Sequence, residues 1–588
     1  MRTRFLPHIL LALASATCQV IGGEDQATAT RPVQATIEAP DGTRKTLWLV
    51  HGEWFSAGGG RGGRGVEDVY RGGVELRYTW RGHRLFVAAD GQEPRLSGVE
   101  VSEEFGQAEL REAVAAGTSP LTIFWRRKGF EQLPPVPEAI EVALQPNVSN
   151  EPFDFGIVAA RLPCLTALTF SVIRGGAGPQ SLRSLSMLTR LASLRIHWIN
   201  AEMPTLEPLA GLKSLRVLSL KLSMRNVGWF ALPDLAPLAG LPIEALDLEG
   251  QVGDAHFQAA SRIKSLVSLK CFGALRLADP ACIGEMREIR RLELSGGTGV
   301  ADLAPFGRLT QLEVLRLSGA RGIRDLAPLA GLTGLRELHL IGTFQATDLS
   351  PLARLTSMRT LVLWGFAGVA DIAPLGRMAD LTRLALDRFA RVRSFAPLIQ
   401  LPKLNSLDIR RCDGLADLAF LAEMPDLREL ELSSDDAITD LVSVAGAKGL
   451  RRLTLTALKN VSDLAPLAPL PRLETLTLFQ CPRVVDLGPL AGLRRLDTLR
   501  ISQCNGVEDL APLARMAALR RLSFYMCPNV ADLSPLRHCA SLEEINLATC
   551  DKVTDVTPLR SAAKRGAIIH VPRELETQLQ ETKATTDF

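Results

Sequence analysis

A column of carboxylates is the first feature of this sequence that could carry chemistry. The phrase Asp-Leu-Ala-Pro-Leu, or a close variant, recurs twelve times at an unbroken spacing of 23 residues, and a carboxylate occupies its first position in eleven of them. Such a column could bind metal ions, or it could accept hydrogen bonds from the free N–H groups that open a helical turn, where Pro loses no needed donor. The eleven carboxylates are Asp302, Asp325, Asp348, Asp371, Asp417, Asp440, Asp463, Asp486, Asp509, Asp532 and Asp555.

Ser394 occupies the twelfth position and decides between these two interpretations. A serine hydroxyl is a good cap for a helical turn, whereas a column of metal sites would lose a ligand there. We therefore interpret the eleven Asp residues as structural caps. We predict neither a metal site nor a cofactor.

A second column contains cysteines at one fixed position of the repeat, namely Cys412, Cys481, Cys504, Cys527 and Cys550. Leu and Phe fill this position in other repeats, and free Cys behaves as a small hydrophobic residue. Zinc binding or disulfide bonds are the alternatives, because stacked repeats bring the thiols close together. His is absent from the column and C-x-x-C spacing is absent from the chain, so we predict buried free thiols.

Residues that could catalyse a reaction are few. The eight histidines are scattered, and no Ser or Cys has the sequence context of a nucleophile elbow. His51 with Glu53, and His83, are the remaining acid–base candidates, but they lie beside predicted turns and are expected to be solvated. The glycine-rich segment 58–65 could bind phosphate, although a flexible loop is the favoured interpretation. We predict a chain that is not an enzyme; the alternative is an enzyme or ligand-binding domain at 24–135 with the repeats as a recognition arm.

The strict period predicts one supersecondary unit stacked on copies of itself, which is a solenoid. Leu292 and Leu294 alternate with polar residues, as in a short strand with one buried face, and the Asp-Leu-Ala-Pro phrase then opens a short helical turn. Because each coil lies on the previous one, successive strands are expected to pair in parallel. The same template predicts further strands, anchored at Ile140/Val142, Leu168/Phe170, Leu194/Ile196, Leu218/Leu220, Leu246/Leu248, Leu269/Cys271 and, last, 568–571.

This pattern resembles leucine-rich repeats, and the Asp-Leu-x-Pro-Leu phrase is most similar to the internalin-type class of bacterial surface proteins. The resemblance covers residues 136–571, about 18 repeats. It implies an α/β solenoid, a horseshoe with parallel β-strands on the concave face and short 3₁₀ or α turns on the convex face. The position that usually holds Asn in that family holds Gly, Ala, Thr, Phe, Asp, Leu or Cys here.

The segments outside the repeats differ from them in pattern. Apolar alternation at 33–37 and 45–50 predicts one hairpin, and alternation within 74–87 predicts a second. We therefore predict a small β-rich N-terminal domain at 24–135 that caps the solenoid. The polar segment 572–588 is expected to be a C-terminal cap and tail.

The first 16 residues are typical of a secretory signal peptide. Arg2 and Arg4 precede an apolar stretch at 5–16 that is too short to span a bilayer, and small residues at 14–16 offer a cleavage site. Cys18 offers the minority interpretation of a lipoprotein, but the residues before it depart from the usual pattern. We predict export to the periplasm, the cell surface or the medium, without a transmembrane segment.

The function is expected at the strand positions that the repeat leaves variable. A near balance of 67 basic and 64 acidic residues gives a net charge of +3, which argues against a nucleic-acid partner. We predict a non-catalytic binding protein that holds a protein partner on its concave face. An envelope adhesin or glycan-binding scaffold is a lower-ranked hypothesis, because exposed aromatic residues are few. The candidate contact residues are His339, Ile341, Val362 and Trp364 on adjacent strands, with Phe479 and Tyr525 as isolated candidates.

Overall fold

A computed structural model of the 588-residue chain describes part of its length. Between residues 33 and 145 it gives the backbone pairing of eight strands, and it then describes residues 155–173, 183–199, 205–224, 228–297, 299–434 and 436–580. The predicted signal peptide, Cys18, His51, His83 and the glycine-rich segment lie outside the described residues. The chain divides into two compact units, Met1–Ile289 and Arg290–Phe588.

Both hairpins predicted near the N-terminus are confirmed. Strand β1 (Val33–Glu38) pairs antiparallel with β2 (Arg44–Val50), which also pairs with β3 (Glu53–Ser56). In the same way β4 (Leu76–Arg81) pairs antiparallel with β5 (Arg84–Ala89). The first part of the chain is therefore β-rich, as its apolar alternation indicates.

Parallel pairing begins within the first unit and continues through it. Strand β5 pairs antiparallel with β6 (Arg95–Ser102), but β6 pairs in parallel with β7 (Leu121–Arg126), and β7 with β8 (Ala139–Gln145). The predicted domain boundary at 136 stays a prediction, while strands that pair in parallel extend back to residue 95. Of the later described strands of the unit, only the short β12 (Gly228–Trp229) departs from parallel pairing, since it pairs antiparallel with β11 (Val217–Met224). The others are β9 (Ala167–Ile173), β10 (Ser193–Ile199), β13 (Ala245–Gly253) and β14 (Ser268–Arg276).

The connections of the first unit are helical and short. Two are α-helices, α1 (Phe155–Arg161) and α2 (Asp254–Ser261). The remaining described ones are 3₁₀ helices at Ser184–Met187, Glu207–Gly211, Ala236–Leu238 and Pro280–Glu285.

The described residues of the second unit form thirteen parallel strands in chain order. Leucines of neighbouring strands pair directly, as Leu292 does with Leu315, so the register never slips along a leucine column. The predicted final strand is confirmed, because Ile568–His570 pairs in parallel with Glu544–Asn546. The strands are β15 (Arg291–Ser295), β16 (Val314–Arg321), β17 (Glu337–Thr343), β18 (Thr360–Trp364), β19 (Arg383–Asp387), β20 (Ser406–Arg410), β21 (Glu429–Ser433), β22 (Arg452–Thr456), β23 (Thr475–Phe479), β24 (Thr498–Ser502), β25 (Arg521–Tyr525), β26 (Glu544–Asn546) and β27 (Ile568–His570).

The core of the second unit is built from the repeated leucines. In β15 the side chains of Leu292 and Leu294 are fully buried while the residues between them are partly exposed, which is the two-residue period of a strand with one buried face. Leu309 and Leu312, which follow the helical turn, are equally buried. The implied leucine-rich-repeat solenoid, with parallel strands and short 3₁₀ turns, is confirmed.

The helical turns of the second unit are mostly single 3₁₀ turns. Pro lies in the first turn of most of them, where its missing N–H leaves no broken hydrogen bond. Short α-helices, α3 (Arg560–Lys564) and α4 (Glu576–Gln580), follow near the C-terminus. The 3₁₀ helices are Phe306–Arg308, Ala327–Gly331, Ser350–Arg354, Ala373–Arg377, Ala396–Gln400, Ala419–Glu423, Val442–Gly446, Ala465–Leu467, Gly488–Gly492, Ala511–Arg515, Ser534–His538, Thr557–Leu559 and Arg573–Leu575.

Each repeated Asp accepts a hydrogen bond at the entrance to its turn. Asp325 Oδ1 accepts from the N–H of Ala327 at 2.8 Å, and Ser394 Oγ accepts from Ala396 at 3.3 Å. Equivalent bonds occur at all eleven Asp positions of the phrase. The Asp lies one residue before the N-cap, which in this repeat is Leu326, so the bond closes an Asx turn leading into the helix.

Left-handed backbone conformation recurs after the strands of the second unit. In seven successive repeats the residue that follows the strand has positive φ although it carries a side chain, and its N–H bonds to the next coil, as Gln480 N does to Ser502 O at 2.9 Å. Gly365, with φ +90°, occupies the same position earlier in the unit. This strain was not predicted from the sequence. The seven residues are Arg388, Arg411, Ser434, Ala457, Gln480, Gln503 and Met526.

The column cysteines are buried, as predicted, and none of them is in a disulfide bond in the described residues. Their sulfurs donate weakly to main-chain carbonyls, for example Cys504 Sγ to Ser502 O at 3.4 Å. Burial raises the pKa of the Cys527 thiol, and it raises that of Cys550 to about 12. Within the described part of the chain, no group of three or more His, Cys, Asp or Glu residues could hold a metal ion.

Candidate interaction site

The predicted contact residues on β17 and β18 differ in exposure. Ile341 and Trp364 are partly exposed, but His339 and Val362 are only 6% and 3% exposed. The expectation that all four lie open to a partner is therefore wrong for His339 and Val362. Both lie on the same face of their strands as the exposed positions, yet little of either side chain is accessible there.

His339 lies beside a pair of charged side chains. Its Nε2 is 3.0 Å from Glu337 Oε1 but lacks the geometry of a hydrogen bond, whereas Arg316 Nε donates to the same oxygen at 2.6 Å. Arg316 also approaches Glu293 Oε2 at 3.7 Å. Burial alone would raise the pKa of Glu337, but the adjacent imidazole of His339 and the charge of Arg316 outweigh it and lower that pKa to about 2. His339 and Glu337 therefore support the sheet face.

Trp364 is held by a cation on the second strand along. The guanidinium carbon of Arg410 lies 5.6 Å from the centroid of the indole, close enough for a cation–π contact. The indole Nε1 is buried and has no hydrogen-bond partner in the described part of the chain, so that edge of the ring faces protein. The arrangement leaves part of the indole accessible in one fixed orientation.

Two carboxylates orient Arg410 in turn. Its Nε donates to Asp408 Oδ1 at 2.8 Å, and its Nη2 lies 3.0 Å from Glu431 Oε1. Between Trp364 and Arg410 in register lies Asp387, which is buried and takes two hydrogen bonds from Arg411, at 2.7 and 2.8 Å. Each of these three carboxylates therefore has a cation beside it. The surface formed by Ile341, Trp364 and Arg410 is named the Trp364 patch.

Phe479 and Tyr525 lie apart from the Trp364 patch. They are on β23 and β25 with Ser502 between them in register. Phe479 is partly exposed, whereas Tyr525 is 46% exposed and is followed by the equally exposed Met526. They are therefore two isolated aromatic side chains rather than an extension of the patch.

Three residues that belong to possible sites were not among the predicted candidates. Arg410 occupies the same strand position as Trp364, two repeats later. Nothing in the sequence indicates that its side chain crosses the intervening strand to reach Trp364. Trp229 lies in an insertion between the strand anchors Leu218 and Leu246, which are 28 residues apart instead of the regular 23. Phe272 occupies the same strand position as Trp364. Reading this strand position in the repeats before residue 290 would have identified Phe272 as a candidate.

No described helix is long and apolar enough to cross a membrane. No family model matches the chain, and no match is found among curated proteins.

Comparison with solved structures finds leucine-rich-repeat proteins. An internalin (inlF) from Listeria monocytogenes is 25% identical over 49% of this chain and 82% of its own, with a TM-score of 0.39. A leucine-rich-repeat protein from Leptospira interrogans is 16% identical over 70% of this chain and 90% of its own, with a TM-score of 0.42. The functional domain of InlJ from Listeria monocytogenes, described as including a cysteine ladder, is 16% identical over 54% of this chain and 75% of its own, with a TM-score of 0.38.

Proposed function

We propose that this internalin-like leucine-rich-repeat protein is an exported, non-catalytic binding protein that holds a protein partner at the Trp364 patch. The observation that carries the proposal is the orientation of Trp364 by Arg410. Trp and Arg are enriched among the residues that dominate binding energy at interfaces. A side chain already fixed in its bound orientation loses less conformational entropy on association.

The chemistry of the patch favours a partner with an apolar knob beside an acidic group. Ile341 and the accessible part of Trp364 offer apolar surface to the knob. Arg410 already has Asp408 and Glu431 beside it. An acidic group of the partner would therefore replace one of these two carboxylates at the guanidinium. Electrostatic exchange of this kind contributes specificity more than affinity.

Export and the absence of catalysis belong to the same proposal. The basic n-region and the apolar stretch at 5–16 support export. The carboxylate column supports a non-catalytic role, because its described members bond to the backbone of their own turns.

Capture from the native source tests the proposal. The exported form would be immobilised, and proteins retained by the wild-type chain compared with those retained by Trp364→Ala. Phe479→Ala is the matched control, since it removes another partly exposed aromatic side chain from the same strand position. We expect at least one protein that is lost with Trp364→Ala and kept with Phe479→Ala, at unchanged thermal unfolding. Identical retention by both variants would remove the Trp364 patch as the contact site.

A further inference from the structure

An insertion in the first unit rests on two glycines. It lies between β11 and β13 and includes β12. Gly250 and Gly273 are direct neighbours in register on β13 and β14. A Cβ on Gly250 would lie 3.1 Å from Phe230 O, and one on Gly273, whose φ is +123°, would lie 3.1 Å from Trp229 Cδ2 and overlap Gly250 O. The missing side chains therefore let the insertion lie directly on the strands.

Hydrogen bonds fix the insertion in that place. Gln251 Nε2 donates to Trp229 O at 2.6 Å. His256 accepts from the N–H of Gly253 through Nδ1 at 3.0 Å, so its proton is on Nε2, which donates to Leu232 O at 3.1 Å. The position of Trp229 is therefore set by the strand below it and by α2.

The insertion places Trp229 against an exposed aromatic ring. The rings of Trp229 and Phe272 meet edge to face, with centroids 5.5 Å apart and planes at 85°. Phe272 is 52% exposed. An edge-to-face contact restrains the phenyl ring and leaves much of its surface open, which makes Phe272 a fixed stacking platform.

An ion pair lies beside this platform on the same face of the sheet. Glu249 is the direct register neighbour of Phe272, and Lys221 is the neighbour of Glu249. Lys221 Nζ and Glu249 Oε2 are 3.4 Å apart, and both side chains are partly exposed. The surface next to the ring therefore offers a hydrogen-bond donor and an acceptor together, with no net charge.

We infer that Phe272, Trp229, Lys221 and Glu249 form a binding site for a neutral saccharide ring. The C–H face of such a ring stacks on Phe272, while one of two adjacent hydroxyls donates to Glu249 and the other accepts from Lys221. An anionic or cationic ligand would meet one member of the ion pair as a like charge. The site is separate from the Trp364 patch and does not depend on the function proposed for it.

The small apolar area favours a saccharide over a protein at this place. Among the described residues of the first unit, the exposed large apolar side chains are Phe272 and Met187, and Met187 lies on a 3₁₀ turn in another repeat. A stable protein interface buries roughly 800 Å² on each partner around an apolar core. One phenyl ring with an ion pair beside it provides no such core, whereas it matches the size of one sugar ring.

Affinity electrophoresis of the full chain tests the inference. Native gels would contain hydroxyethyl cellulose, dextran or galactomannan as neutral polysaccharides, and heparin as a charged comparator. We expect retardation by at least one neutral polysaccharide. Phe272→Leu, which keeps an apolar side chain but removes the ring, should weaken that binding at least tenfold, and Phe272→Tyr should retain it.

Two control variants make the outcomes decisive. Tyr525→Leu removes an equally exposed ring from the second unit, and Trp364→Ala removes the other proposed contact, so both should be retarded like wild type. The inference fails if no neutral polysaccharide retards the chain, if heparin alone does, or if Phe272→Leu behaves like wild type. Loss of a captured protein with Phe272→Leu, without any polysaccharide binding, would also overturn it in favour of a protein contact.

Discussion

Arg410 lies over the indole of Trp364 although a whole strand, β19, runs between them, and the guanidinium carbon is 5.6 Å from the ring centroid. The short, buried Asp387 occupies the register position between them on that strand. A longer side chain at that position would stand between the cation and the ring. The contact therefore depends on a short side chain between two long ones across three coils.

Arg410→Lys should weaken partner binding with little loss of stability. Lys keeps the charge, but it cannot bond to Asp408 and Glu431 with a planar fork while lying flat on the indole. We expect partner affinity to fall roughly tenfold and the free energy of unfolding to change by less than about 1 kcal/mol, the usual size of an exposed cation–π contact. Titration calorimetry with the captured partner and urea unfolding measure the two quantities. Wild-type affinity in this variant would show that the orientation of Trp364 does not matter.

Acid should selectively weaken the network around Glu337. Its folded pKa of about 2 lies below the ordinary carboxyl value, so its contribution is complete above the unfolded pKa and is lost as the pH falls toward 2. The contribution is on the order of 2–3 kcal/mol. We expect the stability difference between wild type and Glu337→Gln to be largest at pH 7 and to shrink between about pH 4.5 and 2. A difference that stays constant over this range, measured by urea unfolding, would contradict the lowered pKa.

The capping role of the repeated Asp residues can be measured at one position. Asp463 Oδ1 accepts from Ala465 N at 2.7 Å, and Ser394 makes the same type of bond. We expect Asp463→Ala to cost about 1 kcal/mol and Asp463→Ser to cost clearly less. Thermal unfolding compares the two variants with wild type. Equal losses for Ser and Ala would mean that the carboxylate charge, and not the hydrogen bond, is what the position requires.

The thiols of the cysteine column should be unreactive until the chain unfolds. Cys504, Cys527 and Cys550 are fully buried, while Cys164 and Cys282 are partly exposed. The thiolate is the reactive form, and burial disfavours it. In the described part of the chain we expect iodoacetamide at pH 8 to modify Cys164 and Cys282 first, with Cys504, Cys527 and Cys550 modified only in denaturant. Peptide mass spectrometry reads each site, and early modification at Cys527 would contradict a closed core.

The sequence predicted the leucine columns and the parallel stacking because both follow from spacing alone. Alternation also identifies which side of the sheet each residue occupies. It does not say whether a neighbour's side chain will cover that residue, and for this reason His339 and Val362 were predicted to be exposed. The Trp229 insertion was visible as extra length, but its resting place depends on Gly250 and Gly273, which come later in the chain and pair only in the folded sheet.

Gly365→Ala and Ala457→Gly change the residue at the left-handed position after a strand, and they should change the stability of the protein in opposite directions. Gly365→Ala should be strongly destabilising, because its Cβ would lie within van der Waals overlap of Gly342 O and its φ is +90°. We expect a loss of more than about 3 kcal/mol, the size seen when strain and a steric clash coincide. Ala457, with φ +52°, already carries that strain. Left-handed backbone costs a residue with a side chain about 1–2 kcal/mol, and the extra freedom of Gly in the unfolded chain offsets about 0.4–1 kcal/mol. Ala457→Gly should therefore stabilise the protein by up to about 1.6 kcal/mol, and a loss of stability in that variant would show that the left-handed column is not strained.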